Sequence, residues 1–143
     1  DAAYLSSLSL FQGLVTTSIK WALGRPRPVD TLVEVLLPAG GKSFPSGHVM
    51  FYTVLFGFLF FLALVRLPRS PWRTLALVVT GGLVLLVGPS RMFLGAHWLS
   101  DVFAGHVLAF IILAFAIEFY LKYVAPHRRA EEGGLIGAHD QAV

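Results

Sequence analysis

The chain has 143 residues, of which 56% are hydrophobic and 13% are charged, and its mean hydropathy is +0.73. Soluble proteins average roughly 45–50% apolar and about 25% charged residues, so this composition favours a membrane protein. The net charge of +3 is small and scattered, which excludes the basic footprint of a nucleic-acid-binding protein, and the absence of cysteine excludes disulfides and thiolate metal sites.

Four apolar segments follow one another along the chain: residues 2–23, 49–65, 74–89 and 102–124. The first is the least apolar, and its seven Ser, Thr and Gln side chains suit contacts with other helices better than contacts with lipid. The second and third contain no charged residue, and the fourth is interrupted only by His106, Glu118 and Lys122.

These segments are long enough to cross a bilayer as helices. A spanning helix needs roughly 20 residues, which the last three segments reach with their flanks. Strands are disfavoured because no period-2 alternation appears, whereas a helix satisfies its own backbone hydrogen bonds in lipid. The sequence therefore predicts an all-α, polytopic transmembrane helix bundle with four spans. Residues 1–125 would form the transmembrane domain, and residues 126–143 a disordered cytoplasmic tail.

Basic residues between the spans indicate the orientation. Arg66, Arg69 and Arg73 lie between the second and third segments, and four basic residues stand at the end of the fourth segment or beyond it. Alternating spans place both groups on one side, which the positive-inside rule makes cytoplasmic. The other face also has five basic residues, but the chemistry below explains them. We expect a multi-pass protein of the cytoplasmic (inner) membrane with its site facing the periplasm or the cell exterior.

The first polar cluster on that face is KWALGRPRP. Lys20 ends the first helix, and Arg25 and Arg27 lie in a segment that the following prolines keep extended. Arginine held in this way suits bidentate binding of an oxyanion, and lysine adds a mobile point charge. Basic residues that extend to the membrane surface would give the same pattern, so this cluster alone leaves both interpretations open.

The second cluster is FPSGHVM. Pro45 suits an early helix position, Ser46 offers a hydroxyl, and Gly47 allows a group to approach the backbone. The amides of Ser46, Gly47 and His48 are expected to form an exposed helix N-terminus, which binds anions. His48 could protonate a leaving oxygen there, although a lone histidine at a helix start is more often a cap or an interfacial residue.

The third cluster is SRMFLGAHWLSD. On a helix, His97 and Asp101 would be neighbours at i and i+4, so that Asp101 accepts the Nδ1 proton and leaves Nε2 as a base or nucleophile. Ser90 and Arg91 could add a hydroxyl and a guanidinium. A His–Asp pair that only stabilises a helix start would look the same.

Taken together, the clusters describe a site for a tetrahedral oxyanion with three cations, Lys20, Arg27 and Arg91, and a histidine on either side. Phosphate fits this description. A carboxylate would not need three cations, and they would repel a divalent metal. The sequence therefore predicts phosphoryl transfer without a metal or cofactor.

The patterns K-x6-R-P, P-S-G-H and S-R-x5-H-x3-D occur in that order over Lys20–Asp101 and resemble the three-part signature of the type-2 phosphatidic acid phosphatase superfamily. That superfamily includes membrane lipid phosphatases, soluble acid phosphatases and vanadium haloperoxidases. The resemblance implies that His97 forms a phosphohistidine and that Asp101 orients it. It also implies that His48 protonates the leaving oxygen. The phosphate-binding residues that it implies are Lys20, Arg27, Ser46, Gly47, Ser90 and Arg91.

Two further residues lie outside the motifs. We expect a supporting role for Arg25. His106 is a functional candidate because it is an ionisable residue inside a span, but we expect it to make a bundle-facing hydrogen bond. Membrane members of the family typically have a six-helix core, with two spans before the helix that carries the first motif. Only one span precedes the first motif here, and the chain has no initiator Met, so an N-terminally truncated chain is expected. The four spans would correspond to the C-terminal part of that core.

The sequence thus predicts a membrane-embedded, metal-independent phosphoric monoester or diphosphate hydrolase that acts on a lipid phosphate. Candidate substrates are phosphatidate, phosphatidylglycerol phosphate, prenyl diphosphates and lipid A, because the motifs identify the phosphate and not the tail. The apolar piece Thr31–Gly40 is expected at the interface, beside a lateral entrance. Two alternatives stay open: a lipid-to-lipid phosphotransferase with the same site, and a non-catalytic scaffold that binds anionic lipids.

Overall fold

The computed structural model describes residues 2–29, 34–36 and 40–126. This part of the chain contains four α-helices and no strand, which confirms the predicted all-α class. The helices are α1 (Ala2–Leu23), α2 (Gly47–Arg66), α3 (Pro71–Phe93) and α4 (Leu99–Phe119), and α4 continues into a π-helical turn, Tyr120–Val124. Residues 127–143 of the predicted tail, and residues 31–33 and 37–39 of the predicted interfacial piece, lie outside the described residues.

Three helices in the described part of the chain are long and apolar enough to cross a membrane: Gly47–Arg66, Pro71–Phe93 and Leu99–Val124. Large apolar side chains such as Leu85 and Phe103 stay exposed on them, as lipid-facing positions require. The first predicted span is also helical, over 22 residues, but this helix is not among the three. The fold is therefore a membrane-embedded, multi-pass helix bundle.

Local signals explain where the helices begin and end. The hydroxyl of Ser70 accepts the N–H of Arg73 at 3.3 Å and caps α3, which has Pro71 in its first turn. After α1 the chain turns at Gly24, which has a φ of +61° and donates its N–H to the carbonyl of Lys20 at 3.0 Å. The turn at Gly24 places Arg25 and Arg27 of the first polar cluster directly after α1.

Two glycines bring α4 close to its neighbours. A Cβ on Gly88 of α3 would lie 2.8 Å from Val102, and a Cβ on Gly105 of α4 would lie 3.2 Å from Val49 of α2. Small residues allow such approaches in membrane proteins, where helices associate by close packing more than by exclusion of water. The close packing holds α2, α3 and α4 together at the end that carries the polar clusters.

His106 of α4 faces α3 across this contact. Its Nδ1 lies 3.1 Å from the carbonyl of Val102 and its Nε2 lies 3.3 Å from the carbonyl of Val84. The expected bundle-facing hydrogen bond of His106 is thereby confirmed. The chain divides into two units between Leu113 and Ala114, and the site described next lies within the first of them.

Candidate active site

The three polar clusters meet where α1 ends, α2 begins and α3 turns into α4. A cavity of about 550 Å³ opens there. Its lining residues are Lys20, Arg27, Gly47, His48, Phe51, Tyr52 and His97. A second cavity of about 180 Å³ is lined by Ser90 and Arg91 and shares His48 and Tyr52 with the first. His48 therefore borders both groups of predicted anion-binding residues.

His97 lies in the turn before α4, because that helix begins only at Leu99. The prediction that His97 lies on the same helix as Asp101 is therefore wrong, although the two side chains are still neighbours, with Nδ1 of His97 3.6 Å from Oδ2 of Asp101. The turn depends on Gly95, which has a φ of +65° and lies so close to the backbone of Glu34 that a Cβ would collide with it. This turn points His97 inward, and the residue is 4% exposed.

Asp101 is the fully buried acceptor at the base of the site. Its Oδ2 accepts the backbone N–H of Trp98 at 3.0 Å. In a capping box, this is the bond that the side chain of the third helical residue makes with the N-cap residue at the start of the helix. The same oxygen accepts the hydroxyl of Ser43 and lies 3.6 Å from Nδ1 of His97. The other oxygen, Oδ1, accepts Nη1 of Arg25 at 2.7 Å. Asp101 thus ties the first and third clusters together.

Two of these partners were not among the predicted site residues. Ser43 belongs to no motif, and Arg25 was expected to have only a supporting role. In the structure, Arg25 contacts Asp101 directly and also donates to the hydroxyl of Ser100 at 2.7 Å. The only sequence signals were a charged residue between Gly24 and Pro26, and a serine next to the second motif. Neither signal identifies a partner far away in the chain.

The contact between Arg27 and His97 identifies the protonation state of the imidazole. Nη1 of Arg27 lies 3.2 Å from Nε2 of His97 and also donates to the carbonyl of Ala96 at 2.8 Å. A guanidinium only donates, so Nε2 must present a lone pair and Nδ1 must carry the proton. Burial, reinforced by the charges of Arg27 and Lys20 and opposed by Asp101, lowers the pKa of His97 to about 4. The imidazole is therefore neutral at physiological pH.

Lys20 lies beside the start of α2. Its Nζ donates to the carbonyl of Lys42 at 2.7 Å, and a Cβ on Gly47 would lie 3.8 Å from its Cε atom. Gly47 therefore leaves the space next to the ammonium group open. An anion that enters the cavity can reach both the lysine charge and the first turn of the helix.

The start of α2 differs from the prediction in two details. Ser46 is the N-cap, so Pro45 precedes the helix instead of occupying its first turn, and the Phe44–Pro45 peptide is cis. The N–H of Ser46 donates to the carbonyl of Asp101 at 3.1 Å, so it is not available to an anion. The amides of Gly47 and His48 lie in the first helical turn, where the helix itself provides no acceptor.

Two buried donors at the site lack a partner in the described part of the chain. They are Oγ of Ser46 and Nε of Arg91. Nη2 of Arg91 donates to the hydroxyl of Ser90 at 3.1 Å, so these two predicted residues act as a pair. Unpaired buried donors are rare in folded proteins, and they suit the binding of an oxyanion.

Several known proteins are similar in sequence to this chain. The PAP2 superfamily matches residues 1–125. Phosphatidylglycerophosphatase B of Bacillus subtilis is 32% identical over 49% of this chain and 35% of its own length. Lipid phosphate phosphatase 2 of Arabidopsis thaliana is 30% identical over 82% of this chain and 48% of its own length. Lipid A 1-phosphatase of Rhizobium etli is 34% identical over 72% of this chain and 43% of its own length.

A solved structure shares the arrangement of helices. The crystal structure of the first transmembrane PAP2 type phosphatidylglycerolphosphate phosphatase from Bacillus subtilis superposes with a TM-score of 0.75 and 26% sequence identity. The match covers 86% of this chain and 60% of that chain. This chain spans less than half of the length of the three curated relatives named above.

Proposed function

This chain belongs to the PAP2 superfamily, as its three motifs predicted, and from this premise we propose that it hydrolyses the phosphate or diphosphate monoester of a membrane lipid. One observation carries the proposal. The unprotonated Nε2 of His97 shares a cavity with Lys20 and Arg27 at the ends of helices that can cross a membrane. The names of the relatives, which are phosphatases of lipid substrates, support the same reaction.

In the first step, the Nε2 lone pair of His97 attacks phosphorus. The N–P bond forms as the bond to the ester oxygen of the lipid breaks. Arg27, whose contact with Nε2 is long at 3.2 Å, would exchange it for charge-assisted bonds to phosphate oxygens. His48, which borders the cavity, gives its proton to the departing oxygen. A lipid monophosphate therefore leaves as an alcohol, and a lipid diphosphate leaves as the monophosphate.

In the second step, water attacks the phosphohistidine. His48, now neutral, takes a proton from this water, and the N–P bond breaks with its electron pair returning to Nε2. Inorganic phosphate leaves, and both histidines regain their initial protonation states. The two steps use the same pair of residues in opposite proton-transfer roles.

The charge that develops on the phosphoryl oxygens is stabilised by donors already in place. Lys20 and Arg27 supply positive charge from one side, and Arg91 supplies it from the other. The unpaired hydroxyl of Ser46 and the amides of the first turn of α2 add hydrogen bonds. These cations stabilise the charge on the phosphoryl oxygens, as a divalent metal does in metal-dependent phosphatases. We therefore infer that the reaction is metal-independent.

The lipid reaches the site from the membrane. Phe51 and Tyr52, about one helical turn after His48, line the same cavity and lead from the cations towards the apolar surfaces of the helices. The opposite ends of α2 and α3 carry Arg66 and Arg73, and by the positive-inside rule that end is cytoplasmic. The site would then face the periplasm or the exterior from the inner membrane.

Phosphate release tests this function. The chain in detergent or nanodiscs is given phosphatidate, phosphatidylglycerol phosphate, undecaprenyl diphosphate and lipid A, each with and without EDTA. We expect release from at least one lipid, no effect of EDTA, and loss of activity in a folded His97→Ala variant. Rapid quenching with a ³²P-labelled lipid should trap an acid-labile, alkali-stable phosphoenzyme.

Other results of these assays would contradict the mechanism or identify a different function. Unchanged hydrolysis in His97→Ala would contradict the mechanism, and loss of activity with EDTA would contradict metal independence. Transfer of the label to a second lipid instead of water would identify a phosphotransferase. Lipid binding with no turnover of any substrate would identify a scaffold.

A further inference from the structure

Ser43 lies between His97 and Asp101. Its side chain is fully buried, and its hydroxyl donates to Oδ2 of Asp101. The same oxygen atom, Oγ, lies 3.4 Å from Nδ1 of His97, whereas Nδ1 and Oδ2 of Asp101 are 3.6 Å apart. Both distances to Nδ1 are longer than a usual N–H···O hydrogen bond, but the hydroxyl oxygen is the nearer acceptor, and the separation of Nδ1 from Oδ2 is too long for such a bond.

The protons available on His97 and Ser43 determine which of the two donates in this contact. Because Nε2 of His97 accepts from Arg27, Nδ1 carries the imidazole proton and must donate it. A serine hydroxyl has one proton and two lone pairs, and an ionised carboxylate can only accept. The hydroxyl proton therefore goes to Asp101, and an oxygen lone pair faces Nδ1–H. The result is a chain of donors from His97 through Ser43 to Asp101.

Backbone contacts hold Ser43 in this position. The N–H of Ser43 donates to the carbonyl of Arg25 at 2.8 Å, and Nζ of Lys20 lies 3.4 Å from the carbonyl oxygen of Ser43. The side chain of Arg25 binds the other oxygen of Asp101. Arg25 therefore fixes Ser43 through its backbone and Asp101 through its guanidinium, so that the two are presented to His97 as one unit.

We propose that Ser43 is a positioning residue that bridges His97 and Asp101 and holds the Nδ1 proton of the imidazole. This proposal deepens the proposed function and rests on it, because the bridge would keep the lone pair of Nε2 directed at phosphorus. The charged groups that face His97 in the described part of the chain are Lys20, Arg27 and Asp101.

The test uses Ser43→Ala with Thr53→Val as its matched control. The hydroxyl of Thr53 is also fully buried, lies in α2, and has no hydrogen-bond partner in the described residues. We expect Ser43→Ala to lower kcat about 10- to 100-fold, the range found for residues that orient the histidine ligands of metal sites, with KM within about twofold of the wild-type value. Thr53→Val should leave both constants unchanged. An intermediate loss is expected for Ser43→Cys, whose thiol is a weaker donor.

A second readout does not depend on turnover. The rate at which diethyl pyrocarbonate modifies His97, resolved by mass spectrometry across pH, reports the pKa of the imidazole. In Ser43→Ala, the charge of Asp101 is no longer shared with the hydroxyl and acts more strongly on the ring, so this pKa should rise. A residue that only supports packing would not move it.

The outcomes separate the two proposals. An unchanged or lowered pKa of His97 in Ser43→Ala, or a loss of activity equal to that of Thr53→Val, would overturn the bridge. If the wild-type chain hydrolysed no lipid phosphate, the proposed function would fail. The titration of His97 would still decide whether Ser43 bridges the pair.

Discussion

Arg25 and Asp101 are 76 residues apart in the chain and form an ion pair, with Nη1 of Arg25 2.7 Å from Oδ1 of Asp101. The carboxylate is fully buried, whereas the arginine side chain is 38% exposed. A buried carboxylate is costly unless it is paired and hydrogen-bonded. Arg25 supplies this countercharge and connects the segment after α1 to the start of α4.

Replacement of Arg25 should therefore affect stability and turnover together. In Arg25→Met the buried carboxylate loses its countercharge, and an unsatisfied buried group costs on the order of 1–3 kcal/mol. We expect a lower thermal midpoint and, because Asp101 orients the site, about a tenfold or greater loss of kcat/KM. Arg25→Lys should recover part of both. Arg69→Met, at an exposed arginine, is the control, and equal behaviour of the two Met variants would contradict the role of the ion pair.

The low pKa of His97 predicts a pH dependence of stability. In the folded chain this pKa is about 4, compared with about 6.5 for an unperturbed histidine. Between these two pH values His97 binds a proton in the unfolded chain but not in the folded chain. The contribution of His97 to the free energy of unfolding is therefore fully present above about pH 6.5 and falls as the pH approaches 4. The thermal midpoint of the wild type should therefore drop more between pH 7.5 and pH 5 than that of His97→Asn. Equal drops would show that His97 does not titrate in this way.

The helices could be predicted because long uncharged stretches leave few alternatives in a membrane. Their ends were less predictable. The third segment was predicted to end at Pro89, but α3 continues to Phe93. A proline costs a helix one backbone hydrogen bond, and near the end of the helix this loss does not stop it. Ser90 and Arg91 consequently belong to the last turn of α3.

The site was predictable only to the level of its motifs. Their spacing predicted roles for the histidines, the cations and Asp101, because those residues lie in short local patterns. The contacts of Asp101 with Ser43 and Arg25 join residues 58 and 76 positions apart, and they depend on how the segments fold over one another. The turn at Gly95 likewise depends on the distant backbone of Glu34. Such contacts are tertiary, and no local pattern encodes them.

The turn at Gly95 can be tested by adding one methyl group. Gly95→Ala must adopt a φ of +65° and move the Glu34 carbonyl, and the conformation alone costs about 1–2 kcal/mol for a non-glycine residue. We expect a lower thermal midpoint together with reduced activity, since His97 follows two residues later. Gly82→Ala is the control, because a Cβ there meets nothing within 4 Å inside α3. It should be neutral or slightly stabilising. Equal destabilisation by both variants would contradict this account.

His48 lines both cavities, and its proposed role as the general acid predicts that its importance depends on the leaving group. Protonation by a general acid contributes about 10²–10⁴-fold to a rate, and a lipid alkoxide needs it. p-Nitrophenolate leaves without it. His48→Gln should therefore lose most of its activity on a lipid phosphate but should still be phosphorylated by p-nitrophenyl phosphate.

The second step should then be the slow one in His48→Gln, because no base activates the water that attacks the phosphohistidine. Rapid mixing with p-nitrophenyl phosphate should give a burst of p-nitrophenol close to one equivalent per chain, followed by slow turnover, and ³²P should remain on His97. His97→Ala is the control and should show neither burst nor label. If His48→Gln lost both substrates equally and gave no burst, His48 would act by binding phosphate and not by transferring protons.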